Sequence, residues 1–583
     1  MSAGTPNPGM STDGDVSSIE SPNGAAFDGW LDGFFQHYYA RRPVNATFIG
    51  IHDDDDTLPD LSTEGAAQTV DEMKRLRREL DAIQVGGLNE AQGHDRLLAR
   101  NFLDLQITED ELPQFGRGNP AVATGEGVFS ILSLFLRDSE PLPERVDAAI
   151  SRMRAMPAFL ATSRATATAD PIAWTDRAIR EAHSAVTYFG DGIGRLATNR
   201  QIDNPAFLEA ATTARDAFTE HAAWLENDLR HRPSAMVACG REAFDRYLVL
   251  GHCLQPEQDA AWVEAYARRV MEETGAALNE QARTIDPNRT WQELLATLPD
   301  IHPSQADYYA SFSRVWHASR ETALARDLLS WPDAPIDYGP VPRSDRDAAE
   351  GLYYLPYRCP APFGRPEVHR YLVPPVEPEM PPEEQERRLR VTNDAAIKLN
   401  HVVHHGGIGH HVQNWHAARA ASRVGQVAGV DCASRIAMFC GGTLVEGWAC
   451  YATDLMDEAG FLTPLESLSE RQGRLRMAAR AVADVSLHTG VFSLEETAAF
   501  YEREAGMSAA ASFGEAVKNS MFPGAAMMYL IGTDAIHDLR SAVAHRDGAA
   551  FSLRSFHDRF LSFGAIPVSL IARAMLRELP AAR

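Results

Sequence analysis

Residues 399–416 read LNHVVHHGGIGHHVQNWH and hold six of the 20 histidines of the chain, at positions 401, 404, 405, 410, 411 and 416. Neutral imidazole is the commonest side-chain ligand for zinc, iron, manganese or copper. A single histidine is usually structural, and a histidine-rich tract can also take up metal without any chemistry. Six histidines in so short a stretch nevertheless favour a metal site.

The spacing of these histidines predicts an interrupted helix. In a straight helix a second ligand belongs three or four residues after the first, whereas His410 and His411 follow His404 by six and seven residues. Seven residues rise about 10.5 Å, too far for two ligands that each lie about 2.1 Å from one ion. Glycines at 406, 407 and 409 allow a bulge or a break. We therefore expect His410 or His411 to come beside His404.

Glu446 is the second candidate ligand, within the sequence LVEGWACY at 444–451. We expect it near the head of an apolar helix, after a glycine-rich turn at 439–443 with Thr443 as N-cap. A carboxylate at a helix start is favoured by the helix dipole alone. A carboxylate from a separate helix is also the usual third protein ligand of a two-histidine catalytic site.

Outward from this region the chain has the periodicity of helices. Apolar residues recur at helical spacing near 28–39, 64–84, 95–109, 143–166, 171–196, 205–228, 257–284, 383–420 and from 443 onward. Proline and glycine cluster between about 331 and 390, where the apolar run 371–373 predicts a short strand or β hairpin. That segment could instead link two lobes. The fold class is predicted to be all-α.

Composition excludes several classes of protein. The 583 residues are 45% hydrophobic and 23% charged, as in globular proteins, and the net charge of −25 disfavours a nucleic-acid partner. There are only three lysines, and no supporting motif for Schiff-base chemistry. No apolar stretch is long enough to span a membrane. Residues 1–25 are expected to be a disordered leader without a targeting signal, and the six cysteines lack C-x-x-C pairs, which predicts a reduced, cytoplasmic protein.

The motifs resemble those of the bacterial DUF885 family, of the HExxH-type metallopeptidase-like superfamily. That family's H-E-x-x-P-G-H-H-x-Q resembles HHGGIGHHVQ at 404–413, and its E-G-W-A-x-Y-A-E resembles EGWACYAT at 446–453. Further similar positions include Arg480, Asp484, Pro523–Gly524 and 564–567. The resemblance covers roughly residues 350–580. The N-terminal half is similar only in length and helical character.

The resemblance implies one large helical domain at 26–583 with a central cleft, like thimet-type and carboxypeptidase-type metalloenzymes. Its lobes would span about 26–330 and 331–583. It also implies a divalent ion, zinc with iron or manganese as alternatives, held by His404, by His410 or His411, and by Glu446. His410 is favoured because the glycine before it matches the family's Gly-His.

One departure from the family pattern bears on the reaction. His405 stands where the family has a glutamate general base, so it would act as the base or as an extra ligand. Tyr529 and Arg540 would stabilise an oxyanion or bind a substrate carboxylate. Arg476 and Arg480 lie one turn apart and either line the cleft or pair at the surface. His488 and His557 are expected to be structural.

The first functional hypothesis is a metal-dependent hydrolase that acts on an amide, a peptide or a related small molecule. The second is a lyase, a decarboxylase or a non-haem iron oxygenase, since two histidines and a carboxylate also form an iron triad. The third is a non-catalytic relative that binds peptide. The sequence leaves the substrate, the metal and the oligomeric state open.

Overall fold

The computed structural model of this protein describes residues 21–109, 111–115, 118–168, 171–232, 236–346, 362–364, 367–429 and 435–577. Most of the expected leader, part of the 331–390 segment, Cys359 and Cys432 lie outside these ranges. The described part of the leader is helical rather than disordered. Its first helix begins at Pro22, where the Ser21 hydroxyl accepts a hydrogen bond from the Gly24 amide.

The prediction of a mostly helical fold is confirmed. Before residue 330 the longer helices are Pro22–Ala40, Thr63–Ala82, Glu90–Glu109, Pro120–Phe135, Leu142–Thr166, Ile172–Thr187, Pro205–Asn227, Ala260–Ile285 and Tyr308–Ala325. The shorter ones are Pro43–Ile49, Ile193–Arg200, Arg241–Arg246 and Trp291–Leu295, with π-helical turns at Tyr188–Gly192 and Tyr247–Gly251. Single 3₁₀ turns lie at Pro113–Phe115, Leu229–His231, Leu298–Asp300 and Gln305–Asp307.

The helices after residue 380 carry the candidate site. They are Pro382–Val391, Asp394–Ala396, the π-helical Ile397–Gly406, His410–Ala417, Arg423–Val427, Arg435–Glu458, Pro464–His488, Leu494–Ala505, Ala509–Ser520, Met528–Asp547, Leu553–Ser562 and Val568–Arg577, with a 3₁₀ turn at Gly548–Ala550. We call Arg435–Glu458 the Glu446 helix, Pro464–His488 the Arg476 helix and Met528–Asp547 the Tyr529 helix. The Glu446 helix packs against the Tyr529 helix, and the Arg476 helix packs against Ala260–Ile285.

Local sequence explains several of the helix starts. Asn119 and Asn204 cap helices whose first residue is proline, the one residue that loses no hydrogen bond there. The Arg476 helix begins with a capping box, in which Thr463 and Glu466 each bond to the other's backbone. These signals are short-range, which is why the sequence places the long helices well.

The expected β hairpin is wrong. Strands β1 (Ile336–Pro340) and β2 (His369–Val373) pair in parallel, with Tyr338 opposite Tyr371. Parallel strands cannot be joined by a tight turn, because the chain must return to the same end before pairing. The apolar run at 371–373 does form a strand, as expected, but its partner strand lies 33 residues earlier in the sequence and is not joined to it by a tight turn.

Residues on both sides of position 330 share the largest group of buried apolar side chains. It includes Phe34 and Phe102 from the first half and Trp448 and Phe560 from the second, all nearly inaccessible. The division into two lobes at that position stays a prediction. Within the described ranges no helix is both long and apolar enough to cross a membrane.

Candidate metal centre

The histidine segment, residues 394–417, is a helix that changes pitch and then restarts. It opens with one α-helical turn, continues as π-helix to Gly406, and resumes as α-helix at His410. At the restart the amide of Gly409 donates to the carbonyl of Val403 at 2.9 Å. This bond spans six residues, whereas an α-helical bond spans four. The extra residues form the interruption that the glycines predict.

Two glycines are required at this interruption because the backbone there touches other groups. A Cβ at Gly406 would lie 2.0 Å from the Tyr338 hydroxyl. A Cβ at Gly409 would lie 2.0 Å from the carbonyl oxygen of His404. Real Cβ contacts are never this short, so neither position accepts a side chain without moving the histidines.

Two indoles hydrogen-bond the carbonyls that the interruption leaves without helical partners. Trp316 donates its Nε1–H to the carbonyl of Gly406, and Trp448 donates its own to the carbonyl of Ile408, each at 2.9 Å. Buried carbonyls need such donors, because leaving one unsatisfied costs about 1–3 kcal/mol. The interruption is thus held in place by two separate helices.

The interruption brings three imidazoles together. Ring nitrogens of His404, His405 and His410 all lie within 4.8 Å of one another, and in the described part of the chain no other group of three or more histidine, cysteine or acidic side chains is as close. The ring centroids are 4.6 Å apart for His404 and His405 and 4.8 Å apart for His404 and His410. The interruption that the histidine spacing predicts is therefore present, and it brings His410 beside His404.

Glu446 reaches the same point from another helix. Its Oε2 lies 3.6 Å from Nε2 of His404 and 3.5 Å from Nε2 of His410. Burial alone would raise the pKa of this carboxyl, but the two neighbouring imidazoles, when protonated, hold the pKa below its ordinary value. The carboxylate form is therefore favoured where a metal ligand must be ionised.

The expected position of Glu446 at a helix head is wrong. Its helix begins at Arg435, so Glu446 lies in the middle and gains nothing from the helix dipole. The expected turn at 439–443 is helical, and Thr443 accepts a hydrogen bond from the amide of Val568 instead of capping the helix. The two glycines at 441 and 442 fit here because neighbouring atoms leave no room for a Cβ.

The helix that carries Glu446 is positioned by a backbone crossing one residue later. A Cβ at Gly447 would lie 2.5 Å from the carbonyl carbon of Gly532 in the Tyr529 helix. The two helices therefore touch through their backbones at this pair. Within the Glu-Gly-Trp sequence, each residue has its own contact: Glu446 with the histidines, Gly447 with the crossing helix, and Trp448 with the interruption.

The structure brings His410, not His411, to the centre. The Nε2–H of His411 donates to the carbonyl of Ala334 at 2.7 Å, and its ring stacks on His369 with centroids 5.7 Å apart. Burial lowers the pKa of His411, so the ring is favoured in its neutral form. Consecutive residues of a helix point about 100° apart, and that rotation separates the two histidines.

The three histidines and Glu446 lie at the edge of a cavity of about 650 Å³. His404, His405 and Glu446 are on its wall, while His410 is buried behind them. Other polar side chains on the wall come mainly from the Arg476 helix and the helix Ala509–Ser520; they include Asn400, Cys450, Glu470, Arg476, Arg480, Glu515, Lys518 and Tyr529. A small substrate would fit beside the candidate ligands.

Of the two residues expected to assist catalysis, the structure brings only Tyr529 to the cavity. The Arg480 guanidinium stacks on its ring, 5.1 Å from the ring centre. Arg540 is not on the cavity wall: it pairs with Glu458 at 3.0 Å and donates to the Tyr451 hydroxyl at 3.0 Å. The structure therefore does not support Arg540 as an oxyanion or carboxylate ligand.

Of the two alternatives for Arg476 and Arg480, lining the cleft or pairing at the surface, the structure favours the first. Both are on the cavity wall. Arg480 forms an ion pair with Glu515 at 2.7 Å. Burial would raise the pKa of Glu515, but the positive charge of Arg480 lowers it to about 2. Arg476 has no ion pair or hydrogen bond with any described residue.

Glu470 is a cavity residue that the sequence analysis did not single out. It accepts a hydrogen bond from the Thr453 hydroxyl at 2.9 Å. Burial, aided by the charge of Asp454, raises the pKa of Glu470 to about 8. A signal was present in the sequence, because Glu470, Gly473, Arg476 and Arg480 recur at intervals of three or four residues, which places them on one face of one long helix.

His488 and His557 are structural, as expected. His488 donates from Nε2 to the carbonyl of Asn519 at 3.0 Å. His557 donates from Nδ1 to the carbonyl of Leu328 at 2.6 Å and accepts from the Tyr451 hydroxyl at 2.8 Å. Burial lowers the pKa of both rings to about 4, so they stay neutral near pH 7.

The family prediction is confirmed by comparison with known families. The chain belongs to the family described as "Bacterial protein of unknown function (DUF885)", whose model matches residues 43–575. This match includes the N-terminal half, where the resemblance in sequence was weak. No curated protein matches the chain.

Two solved structures share this fold. A "putative lipoprotein of unknown function" from Shewanella oneidensis has a TM-score of 0.75 at 20% identity, with 96% of this chain and 100% of that chain covered. A "putative lipoprotein" from Colwellia psychrerythraea has a TM-score of 0.73 at 16% identity, with 96% and 99% covered. At these identities the likeness shows the fold alone.

Proposed function

We propose that this protein is a metal-dependent hydrolase that cleaves an amide or peptide bond, with zinc as the first candidate ion. The observation that carries the proposal is the position of Glu446 between His404 and His410. Ligands at about 2.1 Å around a tetrahedral ion lie about 3.4 Å from one another. The measured separations of 3.5 and 3.6 Å match that geometry.

The donor set also fits a catalytic rather than a structural ion. Two imidazoles and one carboxylate leave a coordination position open, whereas structural zinc sites are filled by four protein ligands. Here the open side faces the cavity, because His404 and Glu446 are on its wall. A divalent ion bound there would lower the pKa of a bound water to about 7 and polarise a substrate carbonyl.

His405 is the candidate general base. Its Nδ1–H donates to the carbonyl of Asn400 at 2.7 Å, which leaves Nε2 with its lone pair. The ring is on the cavity wall next to His404. From there Nε2 can accept a proton from a water molecule near Glu446 and later return it to the leaving amine. Tyr529, which also lines the cavity, can donate its hydroxyl to the developing oxyanion.

Metal analysis of single variants tests the ligand assignment. We expect the purified protein to bind one equivalent of cobalt(II) with the absorption of a tetrahedral site. His404→Gln, His410→Gln and Glu446→Gln should each lose this binding. His411→Gln is the matched control, because His411 is adjacent and equally buried yet bonded to Ala334. Equal binding by all four variants would reject the site.

The role of His405 needs a separate readout. We expect His405→Gln to keep the metal but to lose hydrolysis of a panel of short peptides, since a base is removed and no ligand is. Loss of the metal together with activity would instead make His405 a fourth ligand. Full hydrolysis by protein from which the ion has been stripped would reject the proposed function.

A binding protein without hydrolytic activity is the second candidate, favoured by the histidine at the position of the family's glutamate. His405→Glu restores the family's residue. If the natural protein cleaves no peptide and His405→Glu does, the natural function is binding.

A further inference from the structure

The cavity beside the candidate metal centre has a positive end. Arg476 and Arg480 from one helix and Lys518 from another are on its wall. Lys518 is one of only three lysines in a chain whose net charge is −25. Basic groups are therefore concentrated at this end of the cavity, although the chain as a whole is acidic.

The acidic groups nearby do not cancel this charge. Glu515 forms an ion pair with Arg480, and its single negative charge also acts on Arg476 and Lys518. Glu470 has its pKa raised to about 8 by burial, so it is mostly neutral near pH 7. Glu446 faces the histidines. One ionised carboxylate does not balance two guanidinium groups, so the wall around Arg476 and Arg480 keeps an excess of positive charge.

Arg476 differs from the buried arginines of the protein. Arg152, which is fully buried, donates to Thr57, Ser130 and Thr47. Arg476 has no hydrogen bond or ion pair with any described residue, and its side chain is exposed to the cavity. A ligand that enters the cavity can therefore reach its guanidinium.

We propose that Arg476 binds a carboxylate of the substrate, and that the substrate of the proposed hydrolase therefore ends in a free carboxylate close to the bond that is cleaved. A guanidinium presents two parallel N–H groups that match the two oxygens of a carboxylate. Because Arg480 is paired with Glu515, the guanidinium of Arg476 is the one left to bind a ligand in this way. One guanidinium suits a ligand with one carboxylate. This substrate class rests on the proposed function, whereas the anion site itself does not.

The cavity sets the scale of the substrate. Arg476, His404 and Glu446 are all on the wall of the same cavity of about 650 Å³. A cavity of this size holds a small molecule rather than a folded protein. It suits an amino-acid derivative or a short peptide that reaches from the candidate metal ligands to Arg476.

Apolar side chains complete the cavity. The apolar side chains that line the same cavity as the arginines include Met438, Val445, Met477 and Phe522. They would contact the side chain of the carboxyl-terminal residue. The cavity thus combines a cationic anchor with an apolar surface, as expected for a peptide end rather than for a highly charged phosphate compound.

Calorimetric titration of metal-free protein tests the carboxylate site independently of hydrolysis. The probes are N-acetyl-trialanine, its carboxyl-terminal amide, and inorganic phosphate. We expect the acid to bind at least about tenfold more tightly than the amide. Arg476→Gln should remove this difference, and Arg476→Lys should keep part of it. Arg474→Gln is the control, since Arg474 pairs with Asp534 outside the cavity wall and should leave the difference unchanged.

Thermal unfolding supplies a second readout that a structural arginine would not give. Because Arg476 is exposed to the cavity and makes no ion pair or hydrogen bond with a described residue, Arg476→Gln should leave the melting temperature almost unchanged. Equal affinity for acid and amide, no saturable binding of either, or tighter binding of phosphate would overturn the proposal. If the metal assignment fails while the acid is still preferred through Arg476, only the hydrolase proposal falls.

Discussion

Trp448 donates its indole N–H to the carbonyl of Ile408 at 2.9 Å, so the helix that carries Glu446 is bonded directly to the interruption that places His410 beside His404. This one contact joins the two motifs of the sequence. The ligand geometry therefore depends on groups that do not themselves touch the candidate ion.

Replacement of Trp448 tests this dependence. Trp448→Phe keeps most of the packing but leaves the Ile408 carbonyl without its donor, so we expect a loss of about 1–3 kcal/mol in the free energy of unfolding. Cobalt(II) affinity should fall about tenfold or more. Trp30→Phe is the control, because Trp30 makes an equivalent bond to the carbonyl of Leu76 in the N-terminal half. It should lose stability without losing metal affinity, and equal loss of affinity in both variants would contradict the prediction.

The crossing of two helices at Gly447 and Gly532 gives a second prediction. Gly447→Ala forces the backbones apart, and overpacking of this kind costs about 1–3 kcal/mol. Gly514 is the matched control: it is helical, exposed and has open space around its Cβ position. Gly514→Ala should stabilise the protein by up to about 1 kcal/mol, the difference in helix propensity. Denaturant unfolding measures both, and a stabilising Gly447→Ala would disprove the close crossing.

The buried Glu470 predicts a dependence of stability on pH. Burial raises the pKa of Glu470 to about 8, above the ordinary value of a glutamate. Between those two values the folded protein holds a proton that the unfolded chain releases. This contribution to stability is therefore complete at low pH and is lost as the pH rises toward 8, by at most about 1.4 kcal/mol per pH unit.

Glu470→Gln should remove that loss, because glutamine resembles the protonated acid at every pH. We expect the variant to gain stability relative to the natural protein between pH 5 and pH 8.5. The free energies of unfolding of both proteins at the two pH values are the measurement. Parallel pH curves for the two proteins would show that Glu470 titrates normally.

The hydrogen bonds of the Asp484 carboxyl predict which segment unfolds locally when this side chain is removed. Its carboxyl accepts hydrogen bonds from the amides of Gly524, Ala526 and Met527, at 3.0, 2.9 and 3.0 Å. These bonds hold the loop that leads into the Tyr529 helix. Asp484→Ala should destabilise the protein by about 2–4 kcal/mol.

Hydrogen exchange locates the effect of Asp484→Ala. We expect the amides of residues 524, 526 and 527 to lose protection far more than those of the helix Ala260–Ile285, which also packs against the Arg476 helix. Uniform loss of protection over the whole chain would mean that the loop is not held locally by this carboxyl.

Much of this protein follows from its sequence alone. Helix positions depend on the period of apolar residues and on capping groups, both of which act within a few residues. The need for an interruption between His404 and His410 is equally local, since no straight helix brings residues six apart to one ion. The pairing of the histidines with Glu446 was predicted, and the structure places the carboxylate between two of the imidazoles.

Tertiary structure decided what depends on neighbours distant in the sequence. His411 lies next to His410 but bonds to Ala334, and only the position of that carbonyl distinguishes them. Glycines before Glu446 suggested a turn, yet close packing makes them part of a helix. The two strands pair in parallel because of the route of the chain between them. Arg476 and Arg540 have equally long side chains, and only the fold directs one to the cavity and the other to Glu458.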